Sequence, residues 1–140
     1  QPGSKNANSV FDDADIAAAA AGAPGGVFDN SGQDCCSRSR LLVHRGIYDE
    51  FMAALEESVG DFAAADPTLP DTAMGPLVTA AHRDKVASYV AAGEVAFRGT
   101  APEGPGFWFP PTVLTPASTS TADFTEEIFG PVLSVVPFDT

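Results

Sequence analysis

Two periodicities alternate along this chain, and together they restrict it to folds that stack helices on a sheet. Phe51, Leu55, Val59 and Phe62 recur at steps of four, four and three, which places them on one stripe of a helix. Glu56 and Glu57 fall off that stripe and face water. The pattern predicts a helix over 49–62. Residues 132–138, in contrast, form an apolar β-branched run, and 41–44 read Leu-Leu-Val-His. Runs of that length are strands buried in a sheet.

The remaining segments fit the same alternation. Residues 6–12 read as a short strand ending in an acidic turn. Asp13 is placed to cap a helix through the alanine-rich run to about Ala23, and Pro24-Gly25-Gly26 ends or kinks that helix. Residues 27–35 are rich in turn formers and 66–78 carry three prolines, so both read as loops. Thr79 caps a second helix with His82, Val86, Tyr89 and Val90 on one face, closed by Gly93. Residues 94–98 and 111–114 are further short strands, and 115–121 a polar connector. The expected fold class is α/β: an open, largely parallel sheet with flanking helices.

Charge excludes some partners. The 140 residues hold 19 acidic and 7 basic side chains, a net −12. Such a surface repels phosphate backbones and anionic membranes. No apolar run approaches the ~18 residues of a membrane-crossing helix. The two cysteines, Cys35 and Cys36, are adjacent. Neighbouring Cα atoms lie ~3.8 Å apart, closer than a disulfide ordinarily takes, so a bridge between them is strained. The expected setting is reducing and cytoplasmic. These cysteines and the distant His44 and His82 do not match zinc-ligand spacing, and no metal is expected.

Two local patterns carry chemistry. In Phe28-Asp-Asn-Ser-Gly-Gln-Asp-Cys35 a cysteine follows a glycine-containing turn between a helix and a strand. Such a turn exposes the thiol and aims backbone N–H groups at a developing oxyanion, and a thiolate is a good covalent catalyst for carbonyl chemistry. The alternative is a buried free cysteine. In Thr125-Glu-Glu-Ile-Phe-Gly-Pro-Val132 a carboxylate suited to ribose hydroxyls stands beside an aromatic and a Gly-Pro turn. The alternative is a surface turn whose Phe packs inward.

In this order the patterns resemble the aldehyde dehydrogenase superfamily. Gly-Gln-x-Cys at 32–35 is similar to its catalytic-cysteine motif, and Glu-Glu-Ile-Phe-Gly-Pro-Val at 126–132 to its cofactor-ribose motif. Lys5-Asn-Ala-Asn-x-Val-Phe is similar to the segment after its general-base glutamate. Met74-Gly-Pro-Leu-Val and Trp108-Phe-Pro-Pro-Thr-Val are further similar stretches. The resemblance runs along essentially the whole chain. It implies a partial catalytic domain over 1–140, with the family's nucleotide-binding domain and oligomerisation arm not present in these residues. It also implies NAD or NADP as cofactor, an aldehyde as substrate and a parent homodimer or homotetramer.

The resemblance assigns roles residue by residue. Cys35 matches the nucleophile, its N–H half of the oxyanion site. Glu127 matches the ribose carboxylate, and Phe129 the aromatic beside the nicotinamide end. The family's base lies in a Glu-x-Gly-Gly-Lys pattern, and this chain reads Gln1-Pro2-Gly3-Ser4-Lys5. Gln1 therefore stands at the general-base position with an amide that has no useful basicity. A natural slow variant, a deliberate change and a boundary effect all account for it. Lys5 and His44 read as structural. Arg38 and Arg40 either lower the Cys35 pKa or form surface contacts, and Phe107, Trp108 and Phe109 either wall an aldehyde pocket or pack in the core. Two rival functions stay open: an inactive remnant lacking cofactor and base, and a thiol redox module on Cys35-Cys36.

Overall fold

The computed structural model describes residues 4–116 and 118–140. Its elements run β1 (Ala7–Val10), α1 (Ile16–Phe28), β2 (Arg40–His44), α2 (Tyr48–Gly60), α3 (Ala80–Ala92), β3 (Val95–Arg98), β4 (Thr112–Leu114), α4 (Ala122–Thr125) and β5 (Val132–Phe138), with 3₁₀ turns at Asp29–Gly32 and Arg45–Ile47. The strands make one sheet in the order β1-β2-β5-β4-β3. β1 and β2, β2 and β5, and β4 and β5 pair in parallel, while β3 pairs antiparallel with β4 at one edge. The α/β expectation, with a largely parallel sheet, holds.

β5 lies at the centre, which explains its unbroken apolar run. Leu133 and Val135 join a core with Leu41, Val43, Phe28, Phe51, Leu55 and Val59, whereas Val132 joins a second core with Leu114, Val86 and Val90. Neighbouring residues of a strand face opposite sides. The sheet is thus covered by α1 and α2 on one face and α3 on the other. Phe51, Leu55 and Val59 are all 0% exposed, as their stripe required. Burying one such side chain contributes ~1.5–3 kcal/mol.

Helix ends follow side-chain chemistry. Thr79 caps α3, its Oγ1 accepting the His82 N–H at 3.1 Å, and Gly93 closes it. Two expectations for α1 are corrected. Asp15, not Asp13, is the cap, with Oδ1 accepting the Ala18 N–H at 3.0 Å. The helix also runs through Pro24 to Phe28. Proline removes one N–H, and here it sits on the buried face with Ala20, Ala23, Val27 and Phe28, where packing against α2 outweighs the lost bond. Val27 and Phe28 therefore belong to the helix rather than to the following loop.

The segment 99–111 links the antiparallel pair. Trp108 packs against the first core and Phe109 against the second, while Phe107 is 39% exposed. Two of the three aromatics are thus partly buried against the cores. The single turn α4 had no expectation.

Candidate active site

The cysteine turn is built where α1 ends. Asn30 and Ser31 adopt positive φ angles of 50° and 60°, and Gly32 one of 68°. At Gly32 a Cβ would lie 2.0 Å from the Gly130 carbonyl oxygen, so only glycine lets the two backbones meet. Gly130 in turn lies against α3, where a Cβ would stand 2.6 Å from Val86. This contact brings the Gly-Gln-x-Cys and Glu-Glu-Ile-Phe-Gly-Pro stretches together in space.

Side chains from distant segments fix the turn further. The Ser31 hydroxyl donates to the Gly75 carbonyl at 2.6 Å, and Gln33 Oε1 accepts the Val78 N–H at 3.0 Å. The Gly-Pro-Leu-Val stretch at 75–78 is therefore a brace for the cysteine turn. Leu77 N–H donates to the Phe107 carbonyl, which ties that brace to the 99–111 segment. The cysteine turn, the 126–132 stretch, the 75–78 brace and the segment leading into Trp108 are linked in this way.

Cys35 is exposed and a free thiol, as is Cys36. Its carbonyl accepts two hydrogen bonds from the opening segment: Ser4 Oγ at 2.7 Å and Asn6 Nδ2 at 2.8 Å. Ser4 Oγ also lies 3.2 Å from Glu127 Oε1. One hydroxyl thus spans the two residues that the sequence marked for nucleophile and ribose. Sequence reading noted Ser4 only as a departure from a motif, because its partners are 31 and 123 residues away. Gln1 lies outside the described residues.

Cys36 differs from its neighbour. Its Sγ donates to both oxygens of Asp34, at 3.1 and 3.2 Å, and its N–H donates to Oδ1. That hydrogen bond, with the adjacent negative charge, pushes the Cys36 thiol above its ordinary value. The same bond holds the Asp34 carboxyl below its ordinary value. A 250 Å³ cleft adjoins Cys36 and is lined by Asp29, Asp34 and Arg38 among others. The Asp34, Cys35 and Cys36 donor atoms lie within 4.8 Å of one another, all exposed.

Glu127 lines another cleft, of 380 Å³, with Ser4, Lys5, Lys85, Tyr89 and Glu126. The Tyr89 hydroxyl donates to Glu126 Oε2 at 2.6 Å, leaving Glu127 to Ser4. Phe129 is 38% exposed with φ +60°, an uncommon angle for a side-chain-bearing residue. His82 secures it: Nε2 is hydrogen-bonded to the Phe129 carbonyl, and the two rings lie edge to face. His82 was legible only as part of an apolar helix face.

Lys5 Nζ is buried without a hydrogen-bond partner among the described residues. Burial is the main cause that lowers its pKa to about 8, with Asp123 opposing the shift. Arg40 hydrogen-bonds the Lys5 carbonyl and lies over the Phe124 ring, and Arg38 packs over Gly26. Arg40 thus makes structural contacts, while Arg38 also lines the cleft beside Cys36. His44 is a structural histidine, its Nδ1 accepting the Gly46 N–H and its Nε2 paired with the Asp139 carbonyl.

The chain matches known proteins along its length. A family model described as "Aldehyde dehydrogenase family" matches residues 1–140. Betaine aldehyde dehydrogenase 2 of Rhizobium meliloti is 43% identical over 142 residues, covering 98% of this chain and 30% of the relative. Succinate-semialdehyde dehydrogenase [NADP(+)] 1 of Mycobacterium tuberculosis is 42% identical over 131 residues, covering 90% of this chain and 29% of the relative. The crystal structure of an NAD-dependent aldehyde dehydrogenase from Sinorhizobium meliloti superposes with a TM-score of 0.91 at 40% identity, covering 99% of this chain and 28% of that one. The chain spans 30% or less of the length of these relatives.

Proposed function

Because the chain belongs to the aldehyde dehydrogenase family, we propose that it is the cysteine-bearing part of the catalytic domain of an NAD(P)⁺-dependent aldehyde dehydrogenase, with Cys35 as nucleophile. The observation that carries this reading is the tie from the exposed Cys35 turn through Ser4 to Glu127. The NAD-dependent and NADP(+) relatives support the cofactor class. Betaine aldehyde and succinate semialdehyde in the relatives' names differ in charge, so the reading stops at an aldehyde.

The chemistry follows from the turn. The Cys35 sulfur bonds to the aldehyde carbon, and the carbonyl π pair moves to oxygen. Backbone N–H groups of the turn, that of Cys35 among them, receive the alkoxide. The alkoxide then collapses to a thioester held on Cys35; NAD(P)⁺, when bound, would supply the hydride acceptor that this collapse requires. The residues present fit that cofactor: a carboxylate at the cleft, Glu127, to accept from ribose hydroxyls, and an exposed ring, Phe129, to flank a flat heterocycle. Water then cleaves the C–S bond, giving the carboxylic acid and the free thiol. Gln1 cannot take the water proton as a carboxylate would, so this last step is expected to be slow.

The test is intact mass of the full-length protein mixed with an aldehyde and NAD⁺, with Cys35→Ala as control. The expected result is an acyl adduct that accumulates and requires both Cys35 and NAD⁺. Turnover without accumulation retains Cys35 and overturns the reading of Gln1. No adduct and no turnover across an aldehyde panel overturns the enzyme in favour of an inactive remnant.

A further inference from the structure

Ser4 holds a place that the proposed chemistry leaves unused. Its oxygen is 2.7 Å from the Cys35 carbonyl and 3.2 Å from Glu127 Oε1. A hydroxyl has one proton, and both of these partners are acceptors. The proton is therefore divided between the cysteine turn and the carboxylate, and what happens at one acceptor is felt at the other. Asn6 holds the same Cys35 carbonyl, so the turn keeps its position whichever way the Ser4 proton leans.

We propose that Ser4 is a positioning residue that couples cofactor seating at Glu127 to the setting of the Cys35 turn. The proposal rests on the reading of Cys35 and Glu127 given above. When ribose hydroxyls donate to Glu127, its oxygens are satisfied and the Ser4 proton goes wholly to the Cys35 carbonyl. The 35–36 peptide is then held by two full hydrogen bonds. When Glu127 is free, the carboxylate at 3.2 Å competes for the proton of the 2.7 Å bond to the Cys35 carbonyl and weakens it, while Asn6 keeps the peptide in place. The segment resembles a pattern with glycine at this position, and glycine has no hydroxyl to share. The coupling is thus a property of this chain's own residue.

The experiment measures alkylation of Cys35 by iodoacetamide in the full-length protein, with and without NAD⁺, followed by mass. NAD⁺ binding is measured separately by calorimetry. In the wild type, NAD⁺ changes the alkylation rate. In Ser4→Ala and Ser4→Gly the ratio of the two rates moves about fivefold toward one, the loss of one hydrogen bond of ordinary strength. Ser4→Thr, which keeps the hydroxyl, retains the wild-type ratio. A merely structural Ser4 shifts both rates together and leaves their ratio alone, so unchanged ratios in Ala and Gly overturn the proposal. A Thr variant no better than Ala overturns it as well. If the wild type binds NAD⁺ and forms the adduct while these ratios are flat, Ser4 alone fails. If it neither binds NAD⁺ nor forms the adduct, the enzyme reading fails and takes Ser4 with it.

Discussion

The two halves of this molecule's order are built from different forces. The core under β2 and β5 is apolar and closed: Phe28, Val43, Phe51, Leu55 and Val59 are each 0% exposed. It rests on many small contacts, none of which is indispensable by geometry. The cysteine turn is its opposite. Cys35, Cys36 and Asp34 are exposed, and the turn is held by a few directed hydrogen bonds and one backbone approach. A core of the first kind tolerates distortion in small steps. A site of the second kind depends on a handful of placed contacts, of which only the hold on the Cys35 carbonyl is doubled, by Ser4 and Asn6.

Three substitutions separate these regimes. Phe51→Ala removes one of the two bulkiest fully buried side chains of that core and is expected to cost ~3–5 kcal/mol in urea unfolding. The folded fraction should still alkylate at Cys35 at the wild-type rate. A slowed rate in fully folded protein would show that core and site are one unit. Gly32→Ala acts on the site. Its Cβ would stand 2.0 Å from the Gly130 oxygen at φ +68°, so the turn must move. Thioester formation in the proposed reaction is expected to fall ~100-fold, as for a displacement of about 1 Å. An unchanged rate would show that the two stretches need not touch.

Lys5 gives the smallest effect and lies between the two regions. Its folded pKa is about 8 against an ordinary 10.5, because burial opposes its charge. Above pH 8 the unfolded chain holds a proton that the folded chain has lost, so stability from this group rises between pH 8 and 10.5. Below pH 8 both states are protonated and the contribution is flat. The gain is expected to be about 2 kcal/mol or less. Lys5→Met should lose it, read as the difference between wild-type and variant urea midpoints at pH 7.5 and pH 10. Parallel profiles for the two proteins would remove the burial argument.

The same division decided what could be seen in the sequence. The stripe of α2, the run of β5 and the Thr79 cap depend on neighbours within a few residues, and periodicity exposes them. The passage of α1 through Pro24 depends on α2 lying against it, which local propensity cannot register. Of the candidate site, Cys35, Glu127 and Phe129 were singled out from their short motifs, and the structure brings those two stretches together. The contacts of Ser31, Gln33, His82 and Ser4 were not legible, since their partners lie 44, 45, 47 and up to 123 residues away. A side chain whose purpose is a distant carbonyl leaves no periodic trace.

The meeting of Gly32 with Gly130 has a practical consequence for protein engineering. The cysteine turn cannot be transplanted as a peptide. Its left-handed residues and its brace at 75–78 would travel poorly, but the stronger limit is that half of its support is another segment's main chain. A recipient scaffold would need the 126–131 stretch in register against the graft, with a glycine on each side of the junction. The unit of inheritance here is therefore a pair of segments some hundred residues apart in sequence, and recombination that separates them yields a thiol on a surface loop and nothing more.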